Sequence, residues 1–214
     1  MTTKSATRRD QIQRKQAQRK AVLAAGQQAD HRRTQRRRII VSAAVLMVLA
    51  GIVTAMMLSS RPTSAEATRV APDFTLTDTT GQQVHLADLR GHNVVLYFNE
   101  GAGCGACLQQ MTSIEQNKAA FDRDNSTVLP IVMNTREQIT ADMTQYGVKT
   151  PFLLDDGTVS RAYDTLGHGM HADLPGHGFV LIDSSGIQQW KGEYPSMWLA
   201  PTELLDQVTQ HLPA

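Results

Sequence analysis

Cysteine is scarce in this chain: of 214 residues only Cys104 and Cys107 are cysteines. That scarcity excludes a small scaffold stapled by a disulfide framework, and it leaves at most half of a tetrahedral zinc shell, because the histidines lie far along the chain. A bridge between the two would also be a weak staple, since closing so short a loop removes little unfolded-chain entropy. Past residue 70 there is no internal repeat and no low-complexity tract, so a repeat architecture is excluded. Residues 39–59 carry no charge. Basic residues thin out after them: residues 1–38 hold twelve Lys/Arg against Asp10 and Asp30, whereas the rest of the chain has nine Lys/Arg against eighteen Asp/Glu. The net charge of +1 conceals that division.

The uncharged run from Ile39 to Ser59 is rich in Ile, Val, Leu, Met and Ala. As a helix rising about 1.5 Å per residue it covers roughly 30 Å, the thickness of a bilayer core. The segment is expected to be a transmembrane signal anchor. The basic flank keeps the N-terminus cytoplasmic and makes everything beyond residue 60 extracytoplasmic. Ala65-Glu66-Ala67 has the small-x-small pattern of a cleavage site, but the leader and the apolar run are both longer than a signal peptide needs, so a retained anchor is the favoured reading. Residues 1–38 read as a solvated helix or disordered tail whose arginines suit anionic headgroups, and nucleic acid is not an expected partner. Residues 60–70 are small and polar and read as a linker, at most ~35 Å long if extended. A single domain is expected over 71–214.

Within that domain the two cysteines form Cys104-Gly105-Ala106-Cys107, directly after the apolar run Asn93–Phe98 and ahead of a helical stretch. A thiol at a strand-to-helix junction meets free backbone N–H groups and the positive end of a helix dipole, both of which favour the thiolate. Thiolates are the species that attack disulfides and peroxides. Two intervening residues place the sulfurs about one helical turn apart, so the spacing suggests a reversible dithiol/disulfide couple.

Strands and helices alternate, which indicates an α/β fold. Strands are expected at Phe74–Thr77, Gln83–Leu86, Asn93–Phe98, Ser126–Met133, Phe152–Leu154, Gly178–Asp183 and Ile187–Lys191, the last two joined by the turn Ser184-Ser185-Gly186. Helices are expected from Cys104 to Phe121, Arg136 to Tyr146, after Gly157 through Ala162, and Pro201 to His211. Trp190 and Trp198 are expected to pack the domain edge.

Ala71-Pro72-Asp73-Phe74-Thr75-Leu76, Gly81, Leu86-Ala87-Asp88-Leu89-Arg90-Gly91, Val94–Phe98 with the cysteine pair, and Phe179-Val180-Leu181-Ile182-Asp183 with Gly186 together resemble the thioredoxin-fold redoxins. That group includes the alkyl hydroperoxide reductase/thiol-specific antioxidant proteins and membrane-tethered thiol:disulfide oxidoreductases. The resemblance covers about residues 70–210 and implies a thioredoxin-like α/β fold, a central mixed sheet flanked by helices, here preceded by a single transmembrane helix. It implies Cys104 as the attacking and Cys107 as the resolving sulfur, no cofactor, a protein disulfide or peroxide as substrate, and an upstream electron donor that could itself be membrane-embedded.

Two departures from family patterns bear on the reaction. Peroxidases of the group carry Pro-x-x-x-Thr-x-x-Cys, and with Cys104 as that cysteine the two signature positions hold Tyr97 and Gly101. Thioredoxin-type enzymes carry Cys-x-x-Cys, as here, and a cis-proline before the late strand; that position falls on His177, with Pro175 two residues earlier. A thiol:disulfide oxidoreductase is therefore the leading reading, and a thiol peroxidase the alternative. A third reading, a copper chaperone, draws on Cys104, Cys107, His171 and His177 as soft or intermediate ligands, although such chaperones generally carry Cys-x-x-x-Cys. His171 or His177 could instead shuttle protons or stabilise a thiolate, and Glu100 could serve as an acid/base. The bland alternative for all three is a solvated loop position.

Overall fold

The computed structural model of the chain describes residues 37–58, 62–169 and 171–212. Apart from Arg37 and Arg38, the basic tail expected over 1–38 lies outside the described residues. The chain divides after Met57 into two compact units. In the first, helix α1 (Arg37–Leu58) is long and apolar enough to cross a membrane. Its large side chains from Ile39 to Leu58 are exposed.

The second unit is built on one eight-stranded mixed sheet: β1 (Thr63–Val70), β2 (Thr75–Asp78), β3 (Gln83–His85), β4 (Asn93–Phe98), β5 (Ser126–Val132), β6 (Leu153–Leu154), β7 (Gly178–Ile182) and β8 (Ile187–Glu193). Their order across the sheet is β1-β8-β7-β4-β5-β6-β2-β3. The helices are α2 (Gly105–Gln116), α3 (Lys118–Arg123), α4 (Arg136–Tyr146), α5 (Thr158–Ala162) and α6 (Pro201–His211). Central β4 runs parallel to β5 and antiparallel to β7. It is apolar throughout because both its faces are covered. Val95 and Tyr97 enter a core with Leu108, Ile139, Leu204 and Val208 from α2, α4 and α6, while Val94, Leu96 and Phe98 enter a second core with Phe74, Val159 and Tyr163. This is the α/β architecture that the alternation predicts, in the thioredoxin-like arrangement that the resemblance implies.

Three local expectations need correction. The linker expected over 60–70 is largely strand β1, paired antiparallel with β8 from Thr63↔Glu193 to Val70↔Ile187. Its small polar sequence hides it, because an edge strand can be exposed on both faces and draws its hydrogen bonds from a partner remote in sequence. Arg69 fastens it: Nε donates to Gln188 Oε1 at 3.0 Å, Nη2 donates to the Ala162 carbonyl at 3.1 Å, and the guanidinium lies 5.9 Å from the Tyr163 ring centroid. The helix expected from Cys104 to Phe121 breaks at Asn117, whose backbone leaves the helical region and whose side-chain amide donates to the Ser113 carbonyl at 2.9 Å. Trp190 is fully buried in the core, whereas Trp198 is 44% exposed.

Candidate active site

The apolar strand β4 ends at Phe98, and the following loop turns the chain into α2 with little freedom left. Gly101 and Gly103 take left-handed φ values of 74° and 89°. The N–H of Gly101 donates to Asn99 Oδ1 (3.0 Å), that of Ala102 to Asn134 Oδ1 (2.8 Å), and that of Gly103 to Asp142 Oδ2 (2.8 Å). Three consecutive amides are thus held by side chains from β4's end, from the loop before α4 and from α4 itself. Such pinning constrains the loop that leads into the next residue, Cys104.

Cys104 is the N-cap of α2, and its sulfur accepts from the backbone N–H of Cys107 at 3.2 Å. The two cysteines are joined in a disulfide with Cα atoms 5.3 Å apart. Cys104 is half-buried and Cys107 is fully buried. Cys104 is therefore the more accessible of the pair, at the end of a helix dipole with an N–H directed at its sulfur, and Cys107 is the enclosed one.

His177, the position where counting from the late strand places the family's proline, lies against that inner sulfur. It is 2% exposed, and Nδ1 is 3.9 Å from Cys107 Sγ. Tyr97 Oη is 3.1 Å from His177 Nδ1 and 3.5 Å from Nε2, and it lies 3.2 Å from the Cys107 carbonyl oxygen. The Tyr97 ring stacks on Phe179 and meets the His177 ring edge-on. Pro175 instead pairs with Leu166 across the loop, and no peptide bond among the described residues is cis.

The other candidates occupy the rim. His171 Nδ1 is 3.1 Å from Oε2 of Glu100, a carboxylate only 4% exposed. His168 Nδ1 is 2.7 Å from Glu193 Oε2, which shares its carboxylate with Lys191. His171 and His177 thus have different partners, Glu100 for one and Tyr97 with Cys107 for the other. Among the described residues no group of three His, Cys, Asp or Glu is placed to hold a metal ion. Sequence reading gave Tyr97 no role beyond replacing a proline, and it missed Asn99, Asn134 and Asp142. Only the Gly-x-Gly spacing at 101–103 could have signalled a constrained loop.

Burial lowers the His177 imidazole from 6.5 to about 4 and raises the Tyr97 phenol well above its usual range. Both groups are therefore neutral at neutral pH. Between pH 6.5 and 4 the unfolded chain binds a proton on this histidine that the folded chain does not, so stability falls as the pH drops through that window. The loss approaches about 3 kcal/mol by pH 4. Urea midpoints of the detergent-solubilised chain at pH 7 and 4.5, compared with those of His177→Gln, should show the wild type losing more stability. Equal losses would contradict the assigned burial.

A mixed sheet with a Cys-x-x-Cys disulfide capping the helix after its central strand defines a thioredoxin-like thiol oxidoreductase. Residues 67–191 match the AhpC/TSA family, and the chain belongs to that family. It is 34% identical over 121 residues to alkyl hydroperoxide reductase E of Mycobacterium tuberculosis, a match covering 55% of this chain and 78% of that protein. Among solved structures, the reduced 2-Cys peroxiredoxin of Plasmodium vivax superposes with a TM-score of 0.60 at 21% identity, covering 68% of this chain and 96% of its own. The thioredoxin domain of a Bacteroides vulgatus thiol-disulfide oxidoreductase gives 0.54 at 22% identity, covering 70% and 100%. Both share the fold.

Proposed function

We propose that the protein is a membrane-anchored, extracytoplasmic thiol:disulfide oxidoreductase. The observation that carries this reading is the unequal burial of the two cysteines, Cys104 half-buried at the helix N-terminus and Cys107 fully buried. Cys104 attacks a substrate disulfide, and Cys107 then displaces the substrate from the mixed disulfide. An upstream dithiol donor, which a membrane-embedded protein could supply, reduces the pair again. The anchor is α1, supported by its length and composition and by the excess of Lys/Arg before it. Residues 1–38 then form the cytoplasmic tail and the redox domain follows the anchor.

Two measurements test the two halves of the reading. Reporter fusions after Leu58 should be active with an enzyme that folds only outside the cytoplasm and inactive with one that needs the cytoplasm; the reverse pattern would overturn the topology. Reduction of insulin by the full chain, with a dithiol as donor, should proceed with turnover. Absence of turnover would overturn the activity.

A further inference from the structure

Closing the disulfide requires Cys107 to lose a proton at a place where water has little access, since that residue is fully buried. We propose that His177 is the base that takes this proton as Cys107 attacks Cys104, and that Tyr97 is a positioning residue that holds the imidazole in the competent tautomer. The proposal rests on Cys104 attacking and Cys107 resolving, and it adds the route of the proton.

Tyr97 Oη lies 3.1 Å from His177 Nδ1 and 3.5 Å from Nε2, so these distances admit either tautomer, and the proposal requires the one protonated on Nε2. With the ring protonated on Nε2, that N–H donates to Tyr97 Oη at 3.5 Å, and the phenol O–H donates onward to the Cys107 carbonyl at 3.2 Å. The Nδ1 lone pair is then left facing Cys107 Sγ at 3.9 Å. With Nδ1 protonated instead, the ring has no acceptor to offer the sulfur. Tyr97 and His177 come from β4 and the segment entering β7, adjacent antiparallel strands whose pairing includes Phe98↔Gly178 and Tyr97↔Phe179. The sheet register therefore sets the distance between the phenol and the imidazole.

The step balances without an outside oxidant. Cys107 S–H gives its proton to His177 Nδ1 while its sulfur forms a bond to Cys104 Sγ, and the bond from Cys104 to the substrate sulfur breaks. The substrate leaves as a thiolate, and the imidazolium, which burial disfavours, passes its proton on to that thiolate or to water. Burial of the ring keeps it neutral at neutral pH. The titratable groups in contact with the ring among the described residues are Tyr97 from β4 and Cys107 from α2. Phe179 from β7 packs against the ring, and after β8 the Tyr194 N–H donates to the His177 carbonyl. The loop that carries His177 also meets Glu100 through His171 and Glu193 through His168.

The test is a two-phase release experiment on the reduced full chain in detergent with dithiobis(nitrobenzoate). Attack by Cys104 releases one nitrothiobenzoate, and closure by Cys107 releases the second. With an internal base the second phase of the wild type should vary less than about threefold between pH 5.5 and 8, and His177→Gln should lower its ratio to the first phase about 100-fold at pH 7. In that variant the second phase should rise about tenfold per pH unit, as expected for attack by whatever fraction of Cys107 ionises unaided. Tyr97→Phe should reduce the ratio about tenfold and steepen the pH profile. A wild-type second phase that itself rises tenfold per unit, or a His177→Gln ratio within twofold of wild type, would overturn the proposal. The wild-type profile decides the matter even where a variant fails to fold. If Cys107→Ser failed to release the first nitrothiobenzoate, the roles of the cysteines themselves would be wrong, a different failure from a misassigned proton route.

Discussion

Replacing Cys104 with serine is expected to abolish insulin reduction, whereas Cys107→Ser should yield a protein that still attacks and then stalls as a mixed disulfide. The asymmetry follows from placement. Cys104 is the N-cap of α2 and its sulfur already accepts the Cys107 N–H, so negative charge there is favoured by a directed donor and by the helix dipole. Cys107 is fully buried among core side chains, where an isolated thiolate is penalised. A serine hydroxyl at 104 does not ionise near neutral pH, so activity should fall to background. Non-reducing gels of cells expressing Cys107→Ser should show high-mass adducts that dissolve on reduction and are absent from Cys104→Ser. Retention of insulin reduction by Cys104→Ser, or adducts in that variant alone, would reverse the roles.

Restoring the peroxidase threonine should harm this protein. Gly101 stands where peroxidases of the family carry that threonine, and its φ is +74°. A Cβ there would lie 1.9 Å from Asn134 Oδ1 and 2.9 Å from Val132 Cγ1. A β-branched residue in the left-handed region costs roughly 1–2 kcal/mol, displacing a packed neighbour a further 1–3, and losing the Asn134 bond to the Ala102 N–H about 1. Gly101→Thr should therefore lower stability by about 3–6 kcal/mol, read from the urea midpoint. Stopped-flow oxidation by hydrogen peroxide should be no faster in the variant than in the wild type, whose Cys104 should react at the rate of an ordinary thiolate. A wild-type rate orders of magnitude above that of a free thiol would make the peroxidase reading the better one, as the similarity to an alkyl hydroperoxide reductase would suggest.

Local sequence records the cysteine pair and its helix far better than it records β1 or the surroundings of Gly101. The Cys-x-x-Cys motif after an apolar run is local, and so is its consequence, because a helix start always presents free N–H groups to its first residues. The helices Arg136–Tyr146 and Pro201–His211 match their expected bounds, helped by a Thr135/Gln138 capping box in one case and by Pro201 in the first turn of the other. Strand β1 was invisible because nothing in Thr63–Val70 alternates; its existence depends on the open edge of β8. The role of Gly101 was invisible for a similar reason, since the obstruction is Asn134, a residue from another element.

The sequence by itself determined the class of chemistry and the α/β alternation, because hydrophobic periodicity, turn residues and a two-residue cysteine spacing act over distances that neighbouring residues control. It also determined an apolar segment of membrane-spanning length and the charge asymmetry around it. Only the tertiary structure decided which cysteine is the more accessible, that His177 rather than His171 lies against Cys107, and that Tyr97 stands between that histidine and the helix. Those relations join residues 70 to 80 positions apart through the register of β4 against β7. A strand shifted by one residue would turn Tyr97 to the opposite face of the sheet, and no local pattern around either residue records that register.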